Sequence, residues 1–293
     1  MKYFFAFIVI GWTFSAFSQK PSTEPLKEAI QAKLAGVEGN FGVAFKDLQS
    51  NQTLFINEKE NFHAASTMKT PVMIEVFKQA KGGKFKLTDS ILVKNEFKSI
   101  VDGSAFSLDI SDDSADGMYK MIGKKMTIYD LTYQMIIVSS NLATNILIDL
   151  VDAKKANATM RDFGANDIQV LRGVEDSKAF QLGMNNSVTA YDLMVIFEQI
   201  ARKKAIDPTA SEGITRILFD QKFNEIIPAK LSKEVKVAHK TGSITGVQHD
   251  SGIVFLPDGR KYVLVLLSKN LKDPKAGVRI LADVSEMIYD FVK

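Results

Sequence analysis

Strand-forming sequence stands at both ends of this chain of 293 residues, and helix-forming sequence fills the stretch between. A strand satisfies its backbone only by pairing, so the two ends are drawn into a common sheet and the middle must pack beside it. Near the start, residues 41–47 and 53–56 read as a hairpin turning through Ser50-Asn51. Near the end, residues 235–239, 250–256 and 262–267 read as three further strands, the last two joined by Pro257-Asp258-Gly259. Leu26, Ile30 and Leu34 mark a helix over 25–34, and Ile280, Leu281, Val284, Met287, Ile288 and Phe291 mark another over 277–292. Helical runs occupy 128–138, 143–151 and 190–201, the last opening on Thr189 with Asp192 three residues on. The expected fold is therefore α+β: an antiparallel five-stranded sheet flanked by the N- and C-terminal helices, plus an all-helical lobe. The sheet lobe is expected from about 19–65 and 205–293, and the helical lobe from about 66–204. No linker, repeat or low-complexity tract divides residues 19–293.

The first eighteen residues differ in character. Lys2 precedes an apolar run from Tyr3 to Phe17, and Ala16 and Ser18 place small residues where a signal peptidase inspects the chain before Gln19. The run is shorter than the ~20 residues of a bilayer span, so a cleaved secretory signal is expected rather than a stable membrane anchor. The chain has no cysteine, which removes both disulfides and a lipid anchor on cysteine. These features together lead to an expectation of a bacterial periplasmic or secreted protein, acting as a monomer. The net charge of +3 arises from 37 basic and 34 acidic residues without a dense basic block, so nucleic acid is not an expected partner. His63, His239 and His249 lack metal-ligand spacing, and no metal or organic cofactor is expected.

Three short motifs carry chemistry. Ser66 is followed three residues later by Lys69, one helical turn on, where an amine can take the proton that makes a serine hydroxyl nucleophilic. The apolar stripe Val72, Met73, Val76, Phe77 and Ala80 buries the helix that follows, so Ser66 is expected at a fixed helix N-terminus. Alone, the pair reads as a helix-capping serine with a solvated lysine. Ser139-Ser140-Asn141 interrupts two helical runs; Ser139 can hand a proton to a leaving group, and the Asn141 amide can hold a carbonyl or orient Lys69, although a plain turn has the same composition. Lys240-Thr241-Gly242-Ser243 follows a predicted strand. There Lys240 and the hydroxyls of Thr241 and Ser243 can bind a carboxylate, Gly242 lets a substrate approach the backbone, and the Ser243 amide can join that of Ser66 as an oxyanion hole.

In this order, the Ser-x-x-Lys, Ser-x-Asn and Lys-Thr-Gly signals resemble those of class A β-lactamases and penicillin-binding proteins. The resemblance covers nearly all of the chain after residue 18. It implies a two-lobe fold with the site in the cleft between the lobes, acylation of Ser66, and a β-lactam or cell-wall peptide as the small-molecule partner. The middle motif departs from the family in carrying Ser140 where an aspartate is usual. The family also holds its hydrolytic water on a glutamate between the second and third motifs; the usual spacing is absent here, and Glu175 stands in about the right place, with Asn185 or Asn186 as the amide partner. Glu175 and Asp176 can equally pair with Arg172 or Lys178 as surface charges. Three readings follow: a serine β-lactamase, a D,D-peptidase-like or esterase-like acyl-serine enzyme with slow deacylation, and a non-catalytic protein that binds cell-wall peptide.

Overall fold

The computed structural model describes residues 22–293, so the secretory reading of residues 1–18 lies outside the described residues. Five strands form one sheet: β1 (Asn40–Asp47), β2 (Thr53–Ile56), β3 (Lys236–Ile244), β4 (Val247–Phe255) and β5 (Lys261–Lys269). Their order is β2-β1-β5-β4-β3, and every neighbouring pair is antiparallel. The two ends of the sequence thus meet at the β1–β5 pairing, in the middle of the sheet.

Side chains of a strand alternate between faces, and β5 uses both. Tyr262, Leu264 and Leu266 pack against Ile30 and Leu34 of α1 (Glu24–Leu34) and against the C-terminal helix. Val263, Val265 and Leu267 enter the core of the helical lobe. Because both faces are covered, β5 is apolar nearly throughout, which is why it reads as an unbroken run in the sequence.

The lobe is built from α2 (Lys69–Lys81), α3 (Ile128–Ile137), α4 (Asn141–Val151), α5 (Ala153–Asp162), the short α6 (Ser177–Gln181), α7 (Ala190–Ala201) and α8 (Pro208–Phe219). α2 is buried on nearly every side, its Val72, Met73 and Val76 among the core. Thr189 caps α7 by accepting from the Asp192 amide, as its spacing predicts. The last helix, α9 (Pro274–Val292), starts three residues before the 277 that its periodicity predicts, because Asp273 caps the Lys275 and Ala276 amides.

Several boundaries differ from the sequence expectation, α8 carrying the helical lobe past the expected 204 among them, and two of them bear on the site. Ser66 lies on a 3-10 turn, Ala65–Met68, ahead of α2 rather than on the α-helix itself. The Lys-Thr-Gly segment lies inside β3 rather than after it, because Lys240 is a charged residue at a buried position and masks the alternation that would extend the strand.

Candidate active site

The turn bearing Ser66 is held in an unusual backbone state. Ala65 has φ +44, a left-handed conformation costly for a residue with a Cβ. The Ala65 amide donates to His63 Nδ1 at 3.0 Å, and Thr67 donates to Ala64 O through its amide (3.0 Å) and hydroxyl (2.6 Å). A two-residue ladder, Phe62–His63 against Ser187–Val188, ties the approach to this turn to a distant loop. Ser66 is left half-buried where two hollows meet, and Asp112, Asn141 and Ser243 border both.

Beneath Ser66 lie two buried amines. Lys69 Nζ donates to Ser139 O at 2.7 Å and to Asn141 Oδ1 at 2.9 Å, and lies 3.1 Å from Ser139 Oγ. Lys240 Nζ reaches the same Ser139 Oγ at 3.0 Å and donates to Thr241 O at 2.9 Å. Ser139, at φ +57, is turned between them. Burial disfavours a charged amine. It lowers the Lys69 pKa from 10.5 to about 7, opposed by the charges of Asp113 and Glu175. Burial also pushes Lys240 well below the ordinary lysine range, and the nearby Lys69 adds to the shift. A neutral Lys69 has two N–H donors, which Ser139 O and Asn141 Oδ1 accept, and one lone pair free to take a proton.

β3 is the edge strand, and its free edge faces the Ser66 turn. Gln248 on β4 directs its amide and carbonyl toward Ser268 Oγ, at 2.9 and 2.6 Å. Its cross-strand partner Ser243 therefore points its own amide outward, to the cleft. Gly242 answers a different need from the one its sequence suggests. A side chain there would press on the backbone of Ser66 and Thr67, so the glycine admits the turn itself.

Glu175 is carried by a loop whose neck closes at the Gln169–Ser187 bridge. Inside it, the buried Arg172 donates to Met184 O, Gly173 O and Asn185 Oδ1. Asn186 accepts from the Leu171 and Arg172 amides and donates to Arg172 O. Asn185 and Asn186 thus engage Arg172 and the loop neck, not Glu175 as the sequence suggests. Asp176 caps α6 and accepts from Ser99 Oγ and the Ile100 amide, and Lys178 pairs with Asp102. Glu175 itself is exposed at φ +61, with Asn141 Nδ2 a long 3.5 Å from its Oε1. Its pKa is raised by partial desolvation and then by the charge of Asp112.

Two residues that the sequence reading passes over shape this site. Asn145 brackets the residue before Glu175, accepting from the Val174 amide at 2.7 Å and donating to Val174 O at 3.0 Å. Asp113, the second, accepts from the Leu142 amide at the start of α4. Asn145 left a signal, a polar residue among Leu142, Ala143, Ile146 and Leu147 on a buried helix; Asp113 sits in an acidic run that reads as a solvated turn. Among the described residues, no group of His, Cys, Asp and Glu could hold a metal ion. His239 lies against Asp250 and Asn224, and His249 against His63 O.

A helical lobe set on a five-stranded antiparallel sheet, with a serine turn and two buried lysines between, is the architecture of class A β-lactamase-type serine hydrolases. The chain belongs to the β-lactamase enzyme family, whose sequence profile matches residues 25–292. It is 23% identical to the extended-spectrum β-lactamase PER-1 of Pseudomonas aeruginosa, over 95% of this chain and 91% of that one. Among solved structures it superposes on the TLA-1 extended-spectrum β-lactamase with a TM-score of 0.80 at 19% identity, covering 93% of this chain and 99% of that one. It superposes on PBP-A with a TM-score of 0.78 at 24% identity, covering 92% and 97%.

Proposed function

We propose that this protein is a class A-like serine β-lactamase that opens the β-lactam ring through an acyl-enzyme on Ser66. The observation that carries the reading is the meeting of Lys69 and Lys240 at Ser139 Oγ, beneath the cleft onto which Ser66 opens. In the proposed reaction Ser66 Oγ attacks the lactam carbonyl and its proton passes to Lys69, directly or through a water on Glu175. The tetrahedral oxyanion lies between the amides of Ser66 and Ser243. As the ring C–N bond breaks, Ser139 gives its proton to the departing nitrogen and is reprotonated from the lysine pair. Lys240, Thr241 and Ser243 hold the substrate carboxylate, Asn141 holds its side-chain carbonyl, and Gly242 keeps β3 close enough to do so. Glu175 then takes a proton from the water that attacks the ester, and that proton passes to Ser66 Oγ as the C–O bond breaks and the serine is released. The enzyme acts as an exported monomer, in the periplasm or outside the cell, on a small molecule and without a cofactor.

A second reading, a D,D-peptidase-like acyl-serine enzyme with slow deacylation, draws on the exposed Glu175 and its single long contact to Asn141. Stopped-time mass spectrometry with a penicillin separates the two. An adduct on Ser66 that clears within seconds supports the β-lactamase, and one that persists for hours supports the slow enzyme. Full turnover by Ser66→Ala would overturn both, and a wild-type protein that never forms an adduct would point to simple peptide binding.

A further inference from the structure

Asp113 is a buried carboxylate, 9% exposed, just past the 3-10 turn Ile110–Asp112. Its Oδ1 accepts from the Ala115 amide at 3.0 Å. Its Oδ2 accepts from the Leu142 amide at 2.9 Å, from Ser140 Oγ at 3.3 Å and, at 3.4 Å, from the Tyr119 hydroxyl. All four donors are neutral. A neutral acceptor of the same shape would satisfy most of them, so the charge itself calls for explanation, since burying one is costly.

Its surroundings supply the explanation. Ser140 caps α4 by accepting from the Ala143 amide at 3.2 Å, while its own hydroxyl donates to Asp113. The amide of Leu142, one residue earlier in the first turn, is capped by Asp113 directly. The N-terminus of α4 is therefore closed by two side chains from segments 27 positions apart, and the charge sits at the positive end of the helix. Ser140 is flanked by Ser139 and Asn141, the two residues to which Lys69 donates. The serine hydroxyl is neutral, and Asp113 brings a charge to this turn from another segment.

We propose that Asp113 is a positioning residue of the acylation site, a second cap that locks the Ser139–Asn141 turn against Lys69 and supplies the charge that Ser140 lacks. The inference rests on the proposed acylation of Ser66. Asp113 also favours the protonated form of Lys69, against burial, while Glu175 acts on Lys69 in the same direction and Lys240 faces it as a like charge. Removing the charge lets Lys69 lose its proton at lower pH. Glu175, whose pKa Asp113 also raises, moves the same way, so the sign holds whichever group receives the Ser66 proton.

The test follows adduct formation on Ser66 with a penicillin by mass spectrometry across pH, for the wild type, Asp113→Asn, Ser140→Asp and the double variant, with thermal melting alongside. Asp113→Asn is expected to acylate about 10- to 100-fold more slowly on its plateau, the scale of losing a hydrogen bond to a charged group. Its acid limb is expected to move to lower pH, a shift that a purely structural role would not produce. Ser140→Asp alone sets two carboxylates against each other and is expected to be worse than wild type. In the double variant the charge is restored from the other side and the rate recovers, a coupling that independent sites would not show. Asp113→Asn acylating at the wild-type rate with an unmoved acid limb would overturn the role of Asp113 alone. Absence of any adduct on the wild type would overturn the acylation reading beneath it.

Discussion

Gly242 on β3 and Ser66 on its turn approach so closely that a Cβ on the glycine would stand 3.1 Å from the serine's backbone nitrogen. The same added atom would lie 3.2 Å from both the amide nitrogen and the methyl of Thr67. Backbone atoms have little room to yield, so Gly242→Ala is expected to shift the turn relative to β3 by a few tenths of an ångström. Displacing the two oxyanion amides from each other should slow acylation by about 10²-fold while the protein still folds. Stopped-time adduct formation and a melting curve check this together; an acylation rate within twofold of wild type would show that the approach is slack.

Glu175 and Ser66 are assigned to different halves of the proposed cycle. Glu175→Gln should leave adduct formation largely intact and make the adduct with a penicillin persist, with deacylation slowed by at least about 10²-fold, the lower end of the range for loss of a general base. Mass spectra taken from seconds to hours read both rates. Unchanged clearance would assign deacylation to another group.

Asn145 holds the loop beneath Glu175 through both backbone atoms of Val174, and Gly173 leaves it room: a Cβ at 173 would stand 2.3 Å from Asn145 Oδ1. Asn145→Ala leaves the Val174 amide and carbonyl without partners, at a cost of about 1–3 kcal/mol in stability. Gly173→Ala, which pushes the same side chain away, should act alike. Both are expected to slow deacylation more than acylation, because Glu175 moves and Ser66 does not. Denaturant melts and the two adduct rates test this, and equal slowing of both steps would argue against a local effect.

The buried Lys69 makes stability depend on pH. Its pKa falls from 10.5 to about 7 on folding, so between those values the unfolded chain holds a proton that the folded protein has released. The unfolded state then binds more protons, and stability climbs as pH rises through the window. Lys240 shifts in the same direction. Melting temperature is expected to rise between pH of about 7 and 9, and Lys69→Met to flatten part of that rise. A variant with an undiminished rise would show that the amine is not what titrates.

How far the sequence reached depended on distance along the chain. The strands, the terminal helices and the Pro257-Asp258-Gly259 turn are written in local periodicity, and the sheet follows them. Ser66, Lys69, Ser139, Asn141 and Lys240 were visible because each belongs to a short motif, and the fold brings them to one cleft. Asp113 was not, and Asn145 showed only as a polar residue on a buried helix, since each meets its partner 29 positions away across the helical lobe, with no periodic pattern to pair them. The extent of β3 was hidden for another reason. Lys240 is fully buried against Ser139, a placement that only the assembled lobe makes tolerable.

The pairing at the centre of the sheet also sets a timetable. β1 and β5 align from Asn40 with Lys269 to Asp47 with Tyr262, and beside them Asn40 and Asn270 hydrogen-bond across 230 positions. Contacts this remote form slowly, because a long loop must close before any of them is rewarded. The Ser66 turn is made early but leans on β3, and β3 reaches β1 only through β4 and β5. A nascent chain lacking its last few dozen residues therefore has every reactive group and no place to use them. Whatever chemistry the cleft performs therefore waits on the pairing of β4 and β5.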